Sequence, residues 1–281
     1  ERNKLNDQVF CIGTSACSLA LFSILKTKAM HNSFGAICAS QMIADILKLC
    51  ITTFFCLLPI EFAPPEDEWS CRIMAACCEC LYFFACDLHT LFAVHRFILV
   101  VFPSKKKSWS RLTPIAITFC FCTGFFKAFY LMLLDENLYL RYNRRRMLWM
   151  WTDTPWTEFY RDSKIIWSSV ENSLIIFLDT ISYTKLRAML RKARETVSLK
   201  TFYGYTLSDF GHFRDSLCQC IPTTLVIIFY FYVYPAMTKE FLIFASSTLM
   251  WNTATMCDGI IVVFFHTRPY LFRGVGYTVS I

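Results

Sequence analysis

The segment CRIMAACCECLYFFACDLHTLFAVHRFILVVFP, residues Cys71 to Pro103, decides how the rest of the chain is interpreted. As a helix, the stretch from Cys71 to Arg96 is about 37 Å long at a rise of about 1.5 Å per residue. Because the hydrocarbon core of a membrane is about 30 Å thick, its two ends are expected at opposite membrane faces. Arg96 marks one end, followed by Pro103 and a run of three lysines that begins at Lys105.

One face of this helix carries small or polar side chains along its whole length. Residues three or four apart form the stripe: Arg72, Ala75, Glu79, Tyr82, Cys86, His89, Ala93 and Arg96. Lipid offers polar side chains no partner, so the stripe predicts a helix inside a membrane bundle. Asp87 lies off the stripe and is expected to face a neighbouring helix.

The composition predicts one all-α domain over residues 1–281, a seven-helix membrane bundle. Hydrophobic residues make up 56 % of the chain and charged residues only 17 %. Most of seven apolar stretches reach the roughly 20 residues that a spanning helix needs: Val9–Leu25, Phe34–Ile60, Ile73–Phe102, Leu112–Leu134, Ile165–Tyr183, Leu217–Met237 and Phe241–Phe265. None resembles a cleaved signal peptide. The chain starts at Glu1 without methionine, so we expect further residues before it.

The positive charges in the short loops predict an N-terminus outside the cell. The loops after spans one and three carry six lysines and arginines, whereas those after spans two and six carry two, Arg72 at the start of span three and Lys239. Arg144–Arg146 fall in the long outer loop, where the charge rule is loose. The excess of lysine and arginine on the predicted cytoplasmic face accounts for the net charge of +7. Nucleic acid is therefore not an expected partner.

The fifteen cysteines do not predict a disulfide scaffold, because nearly all lie within spans. Cys71 is at the outer edge of span three, and the loop Asp135–Lys164 offers it no cysteine. Cys77, Cys78 and Cys80 fit packing better than metal ligation. Enzyme and nucleotide-binding motifs are missing from the sequence, so we expect no enzyme, no metal and no cofactor.

The sequence predicts two sites inside the bundle, a cluster of charged residues and a ligand pocket. Asp45, Lys48 and Asp258 lie near mid-membrane and are expected to form a buried cluster, either a switch between two packings or a static ion pair that fixes helix register. A pocket for a small organic ligand is expected in the outer half. Its candidate residues are Glu79, Tyr82, Trp167, Glu171, Trp251 and Asn252.

Arg96 is the strongest single candidate for function. It would either reach a neighbouring helix or a bound partner, or simply extend to the membrane interface. After span five, TKLRAMLRKAR interleaves Arg187 and Arg191 with apolar residues, which predicts a basic amphipathic helix in the cytoplasm. Contact with lipid headgroups and contact with a cytosolic transducer are both compatible with it.

Several segments together resemble the nematode serpentine receptor class x family of seven-helix chemoreceptors. They are NSFGAICASQMIADIL (Asn32–Leu47), His89 followed by HRF and Pro103, LDTISYTKLR, and Trp251 followed by Asp258-Gly259 and FFHTR. The sequence departs from the family at Cys17, His95 and His266, where asparagine is usual. The TDTPW segment ending at Trp156 lacks the family's cysteine.

The resemblance implies a plasma-membrane receptor, with the cilia of sensory neurons as a candidate location. It would bind a small chemosensory ligand and activate a heterotrimeric G protein through His95, Arg96, Phe97, Pro103, Lys105, Arg187 and Arg191. Two alternatives remain open at the level of sequence. One is a transporter or channel with a path through the buried charges, and the other is a divergent family member that no longer signals.

Overall fold

The computed structural model describes residues 2–57, 69–134, 140–143, 148–196, 218 and 221–264. Within them the first four helices are α1 (Arg2–Lys26), α2 (Ser33–Leu57), α3 (Trp69–Val101) and α4 (Lys106–Leu134). A short antiparallel hairpin follows, β1 (Leu140–Asn143) paired with β2 (Leu148–Trp151). The helix α5 then runs unbroken from Pro155 to Thr196.

The last two helices contain π-helical segments. We label as α6 the helical residues 221–228, which continue into the π-helical Phe229–Val233 and the short turn Tyr234–Ala236. The helix α7 consists of Glu240–Phe244, the π-helical Ala245–Leu249 and Met250–Val262. Segments of this kind place one extra residue in a helical turn and are common at functional sites. No residue pattern predicted these π-helical segments.

Among the described residues, five helices contain stretches long and apolar enough to cross a membrane. These are Asp7–Lys26, Ser33–Thr53, Arg72–Val101, Pro103–Tyr130 and Pro155–Met189. They correspond to the first five predicted spans. The predicted ends at residues 58–60, 217 and 265 lie outside the described residues, as does Glu66.

The fifth predicted span was too short. We expected Ile165–Tyr183, whereas α5 begins at Pro155 and contains 42 residues. The polar residues between Pro155 and Lys164 suggested a loop, but proline at the first helical position is well suited to starting a helix. The C-terminal extension does continue as a helix through TKLRAMLRKAR, as predicted.

The core lies where α3 passes between the other helices. Phe34, Leu88 and Phe92 are buried together with Cys17 and Val262 in one apolar cluster.

Two glycines permit close helix contacts. A Cβ at Gly124 of α4 would lie 2.9 Å from the Phe84 nitrogen of α3, and one at Gly259 of α7 would lie 2.8 Å from the Cys17 nitrogen of α1.

Candidate functional site

The polar stripe of α3 is buried, as expected of a helix inside a bundle. Glu79, Tyr82, Cys86, His89 and Arg96 are all shielded from solvent. Two buried ion pairs tie this helix to α5, one at each end of the shared interface, and a half-buried network through Lys127 of α4 bridges the two helices between them. We call these contacts the inner pair, the middle network and the outer pair.

The inner pair joins Arg96 to Asp179 of α5. Arg96 Nη2 donates to both carboxylate oxygens, at 2.6 and 2.8 Å, and Nε donates to Oδ1 at 3.0 Å. Both side chains are at most 6 % exposed. Arg96 Nη1 is buried and has no hydrogen-bond partner among the described residues. Arg96 therefore does not extend to the membrane interface; its guanidinium is held by a neighbouring helix.

The other residues predicted to couple the receptor to a G protein surround the end of α3 that carries Arg96. The Trp109 indole N–H donates to His95 Nδ1 at 2.7 Å, and the Phe97 ring meets that of Phe102 edge to face. Residues 103–105 form a short 3₁₀ turn after α3. The remaining predicted residues are exposed at this end: Pro103, Lys105, Arg187 and Arg191.

The middle network joins α3, α4 and α5 through one lysine. Lys127 Nζ of α4 lies 2.8 Å from Asp87 Oδ1 and 2.7 Å from Glu171 Oε1. The Thr123 hydroxyl donates to the other oxygen of Asp87 at 2.6 Å. Asp87 thus faces a neighbouring helix, as its position off the stripe predicted.

The outer pair joins Glu79 to Lys164 of α5. Lys164 Nζ lies 2.9 and 2.8 Å from the two carboxylate oxygens, and the side chains are only 1 % and 3 % exposed. Five aromatic rings surround the ammonium, with centroids between 4.8 and 6.0 Å away: Tyr82, Phe83, Trp151, Tyr230 and Trp251. We call these rings and Glu79 the cation cage.

Four elements build the cation cage. Tyr82 of α3 stacks on Trp251 of α7, with centroids 4.5 Å apart and planes 15° apart. Tyr230 of α6 meets Trp251 at 5.2 Å. Trp151, the last residue of β2, packs edge to face on Tyr160 of α5. The hairpin therefore positions one wall of the cage, within the stretch Asp135–Lys164 that we expected to be the long outer loop.

The six residues predicted for the ligand pocket lie at three places in the bundle. Glu79, Tyr82 and Trp251 come together in the cation cage. Trp167 lies on the α4 side, where its ring is 4.4 Å from Lys127 Nζ, and Glu171 belongs to the middle network. Asn252 accepts a hydrogen bond from Thr52 of α2 at 3.3 Å. Trp167 also lines the cavity of about 380 Å³ between α4 and α5, so its assignment and that of Glu171 to a ligand pocket remain predictions.

The predicted polar cluster lies between α2, α3 and α7. Lys48 Nζ is 3.5 Å from Asp45 Oδ1, and Gln41 donates to Asp45 Oδ2 at 3.1 Å. Asp258 is 3.5 Å from His89 Nε2 of α3. All of these side chains are buried. Asp258 therefore contacts α3, while the Asp45–Lys48 contact is internal to α2.

Three important residues were missed from the sequence: Lys127, Lys164 and Asp179. Each is an ionisable residue within or beside an apolar stretch, and such residues normally face the bundle interior and pair. Matching the carboxylates and cations of α3 with opposite charges on spans four and five would have found them. Cys77, Cys78 and Cys80 are free thiols, and no cluster of three metal-ligating side chains occurs among the described residues.

The sequence profile of the serpentine type 7TM GPCR chemoreceptor Srx family matches residues 8–266, most of the chain. The chain belongs to this family. The fold agrees: the crystal structure of squid rhodopsin superposes with a TM-score of 0.73 at 12 % identity, covering 99 % of this chain and 87 % of that one. A comparison with curated protein sequences finds no match.

Membership in the Srx family and a rhodopsin-like bundle make this protein a multi-pass G-protein-coupled chemosensory receptor. The transporter, channel and non-signalling interpretations are not favoured. The resemblance stated from sequence motifs is therefore confirmed, and so is the seven-helix fold class. The family is one of receptors rather than enzymes.

Proposed function

We propose that this Srx receptor binds a small extracellular molecule at the outer pair and responds by releasing Arg96 from Asp179, which lets the inner end engage a heterotrimeric G protein. The plasma membrane is the proposed location, with sensory cilia as the candidate site within it. No enzymatic activity is proposed.

The bidentate contact between Arg96 and Asp179 carries this proposal. A buried arginine that lost its carboxylate would need another acceptor, because an unpaired buried charge is strongly destabilising. The inner end offers such an exchange, since a bound partner can supply acceptors to the freed guanidinium. The Arg96 guanidinium thus has two arrangements in which it is hydrogen-bonded, one with Asp179 and one with a bound partner. A ligand can shift the balance between them.

The surface around the inner pair supports G-protein contact. Lys105, Arg187 and Arg191 are exposed beside the end of α3, on α5 and the turn before α4. Positive charge on this face suits an acidic partner surface and the anionic inner leaflet alike. His95 and Phe97 lie behind that surface and hold the end of α3 through Trp109 and Phe102.

The distance between the two ends supports separate roles for them. Arg96 lies 17 residues beyond Glu79, about 25 Å along the helix. A ligand in the cation cage cannot touch Arg96, so its effect must travel through α3 or α5. The polar cluster of Asp45, Lys48 and Asp258 remains a candidate second contributor to the change between packings.

The excess of positive charge in the odd-numbered loops supports an extracellular N-terminus, which puts the cation cage outside and Arg96 inside. An epitope tag before Arg2 should be accessible to antibody on intact cells, and one placed between Lys105 and Lys106 should require permeabilisation. The opposite pattern would overturn the orientation.

Basal G-protein activation tests the role of the inner pair without a known ligand. Asp179→Asn weakens the hold on Arg96 and should raise basal activation several-fold at equal surface level. Asp162→Asn is the matched control, because Asp162 lies on the same helix but is exposed. Arg96→Ala added to Asp179→Asn should return activation to background, and Arg96→Lys should restore little, since lysine lacks the planar donor fork.

Equal basal activation in Asp179→Asn and Asp162→Asn would refute the holding role of the inner pair. Full activation in the Arg96→Ala double variant would show that Arg96 is not the group that the G protein requires.

A further inference from the structure

We propose that the cation cage recognises a small organic cation, and that the Lys164 ammonium is its internal occupant, which such a ligand displaces from Glu79. This names the ligand class of the binding site in the proposed function and rests on that function for the consequence of binding.

The chemistry of the cage selects for positive charge. Aromatic faces carry partial negative charge and attract ammonium groups within about 6 Å of the ring centroid. Five rings meet this distance around Lys164, and Glu79 supplies a full negative charge at 2.8 Å. An anionic ligand in the same place would face the ring faces and the carboxylate together, both of which repel it.

The charge balance leads to the same ligand class. Lys164 can leave Glu79 only if another cation replaces it, because the carboxylate is 3 % exposed and would otherwise remain buried without a partner. A neutral ligand that displaced the ammonium would leave that carboxylate uncompensated. A monocation keeps the net charge next to Glu79 unchanged.

The displaced lysine has space to move. A cavity of about 380 Å³ shares Phe83 and Lys164 with the cage and extends along α5 past Ser163 and Tyr160 to Phe159. Lysine side chains readily lie along apolar surface while their ammonium moves toward water. This cavity therefore offers Lys164 a path toward the N-terminal end of α5.

The cage also contains a donor that a ligand can use. Trp251 Nε1 is buried and has no hydrogen-bond partner among the described residues. The N–H belongs to a ring that already flanks the ammonium, at 5.1 Å. A cation that also carries an oxygen acceptor would satisfy both features at once, which is the chemistry expected of the preferred ligand.

The test uses Lys164→Ala in purified, detergent-solubilised receptor, with propylammonium as the probe. Alanine keeps the Cβ, so propylammonium supplies the three missing carbons and the ammonium. We expect a saturable rise in melting temperature with propylammonium but not with 1-propanol or propionate. The rise should vanish in Lys164→Ala/Glu79→Gln. In the wild-type receptor the same response should need roughly tenfold more probe or more, because Lys164 must first be displaced.

A second measurement covers the possibility that Lys164→Ala does not fold. Tetramethylammonium is titrated against the tryptophan fluorescence of the wild-type receptor and of Trp251→Leu, which keeps the ion pair but removes one ring. A saturable change in the wild-type receptor, reduced about tenfold or more in affinity in Trp251→Leu, supports the proposal. Absence of saturable binding in the wild-type receptor and in folded Lys164→Ala refutes it. Equal responses to propylammonium and 1-propanol refute it as well.

These measurements need no G protein, so their outcome is independent of signalling. If the cations fail to bind while Asp179→Asn still raises basal activation, the cation cage proposal is wrong and the role of the inner pair stands. If the cations bind but Asp179→Asn changes nothing, the site is a cation site and the proposed signalling route is wrong.

Discussion

The interface between α3 and α5 and the interface between α1 and α7 hold the bundle together in different ways. The first contains the outer pair and the inner pair, and between them the middle network bridges α3 and α5 through Lys127 of α4; all three are ionic. The second is apolar and close-packed: Cys17 and Gly259 are buried against each other, and the main polar contact is a long one of 3.8 Å from the Cys17 thiol to the Thr255 carbonyl.

The two kinds of interface differ in the arrangements that they allow. Buried charges must be paired, so the α3–α5 interface can change only by exchanging one partner for another, which produces discrete states. The close backbone contact between α1 and α7 allows only one arrangement, because any relative movement would leave a void or produce a clash. We infer that α1 and α7 form the fixed part of the receptor and that α3 and α5 are the parts that move relative to each other.

The largest effect should come from removing the cation of the middle network. Lys127→Met leaves Asp87 and Glu171, which are only 14 % and 13 % exposed, with no positive partner. We expect a loss of about 3 kcal/mol of stability, the lower end of the range for buried pairs, because both carboxylates keep some exposure. The melting temperature of the purified receptor should fall steeply, while Lys185→Met, at an exposed position of α5, should change little.

Neutralising the two carboxylates sharpens this prediction. Asp87→Asn/Lys127→Met/Glu171→Gln removes all three charges and should recover most of the lost melting temperature. A triple variant no more stable than Lys127→Met would show that the lysine stem, rather than its charge, supports the interface.

A smaller effect is expected at the α1–α7 interface. The Cβ of Gly259→Ala would lie 2.7 Å from the Cys17 sulfur and 2.8 Å from its backbone nitrogen, and overpacking of this kind costs about 1–3 kcal/mol. Gly13→Ala is the milder control on the same interface: its new Cβ would lie 3.0 Å from the Leu49 Cδ1 atom, which can shift, and 3.2 Å from the Met256 Cβ atom, but not within 3 Å of backbone.

Adding Cys17→Ala to Gly259→Ala should recover only part of the loss, since the backbone contact remains. If Gly259→Ala melts at the wild-type temperature, α1 and α7 can separate freely and the contrast between the two interfaces fails.

The smallest effect should follow loss of one neutral hydrogen bond between helices. Thr52→Val removes the bond to Asn252 and should cost about 0.6 kcal/mol, typical of such bonds in membranes. Thr14 is the control: its buried hydroxyl has no partner among the described residues, so Thr14→Val should be neutral or slightly stabilising. Thermal unfolding of both variants in detergent gives the comparison, and a larger loss in Thr14→Val would contradict it.

Much of the architecture follows from residue patterns that are local along the chain. The stripe on α3 and the basic extension of α5 are periodic features, and the long apolar helices are continuous apolar runs, so one sequence suffices to predict them. The partners Lys127, Lys164 and Asp179 were missed because pairing between helices depends on rotation and starting point. Because the predicted start of α5 was ten residues too late, Lys164 was placed in a loop and its pairing with Glu79 was missed.

The unbroken length of α5 makes it a lever. Its 42 residues form a helix about 63 Å long, and the middle network contacts this helix at Glu171, which we take as the pivot. Along the helix axis, Lys164 lies about 10 Å from Glu171 in one direction and Thr196 about 37 Å from it in the other. A tilt that moves the first by about 1 Å therefore moves the second by about 3–4 Å. A ligand of a few atoms can thus produce, at the far end, a displacement larger than the one it causes where it binds.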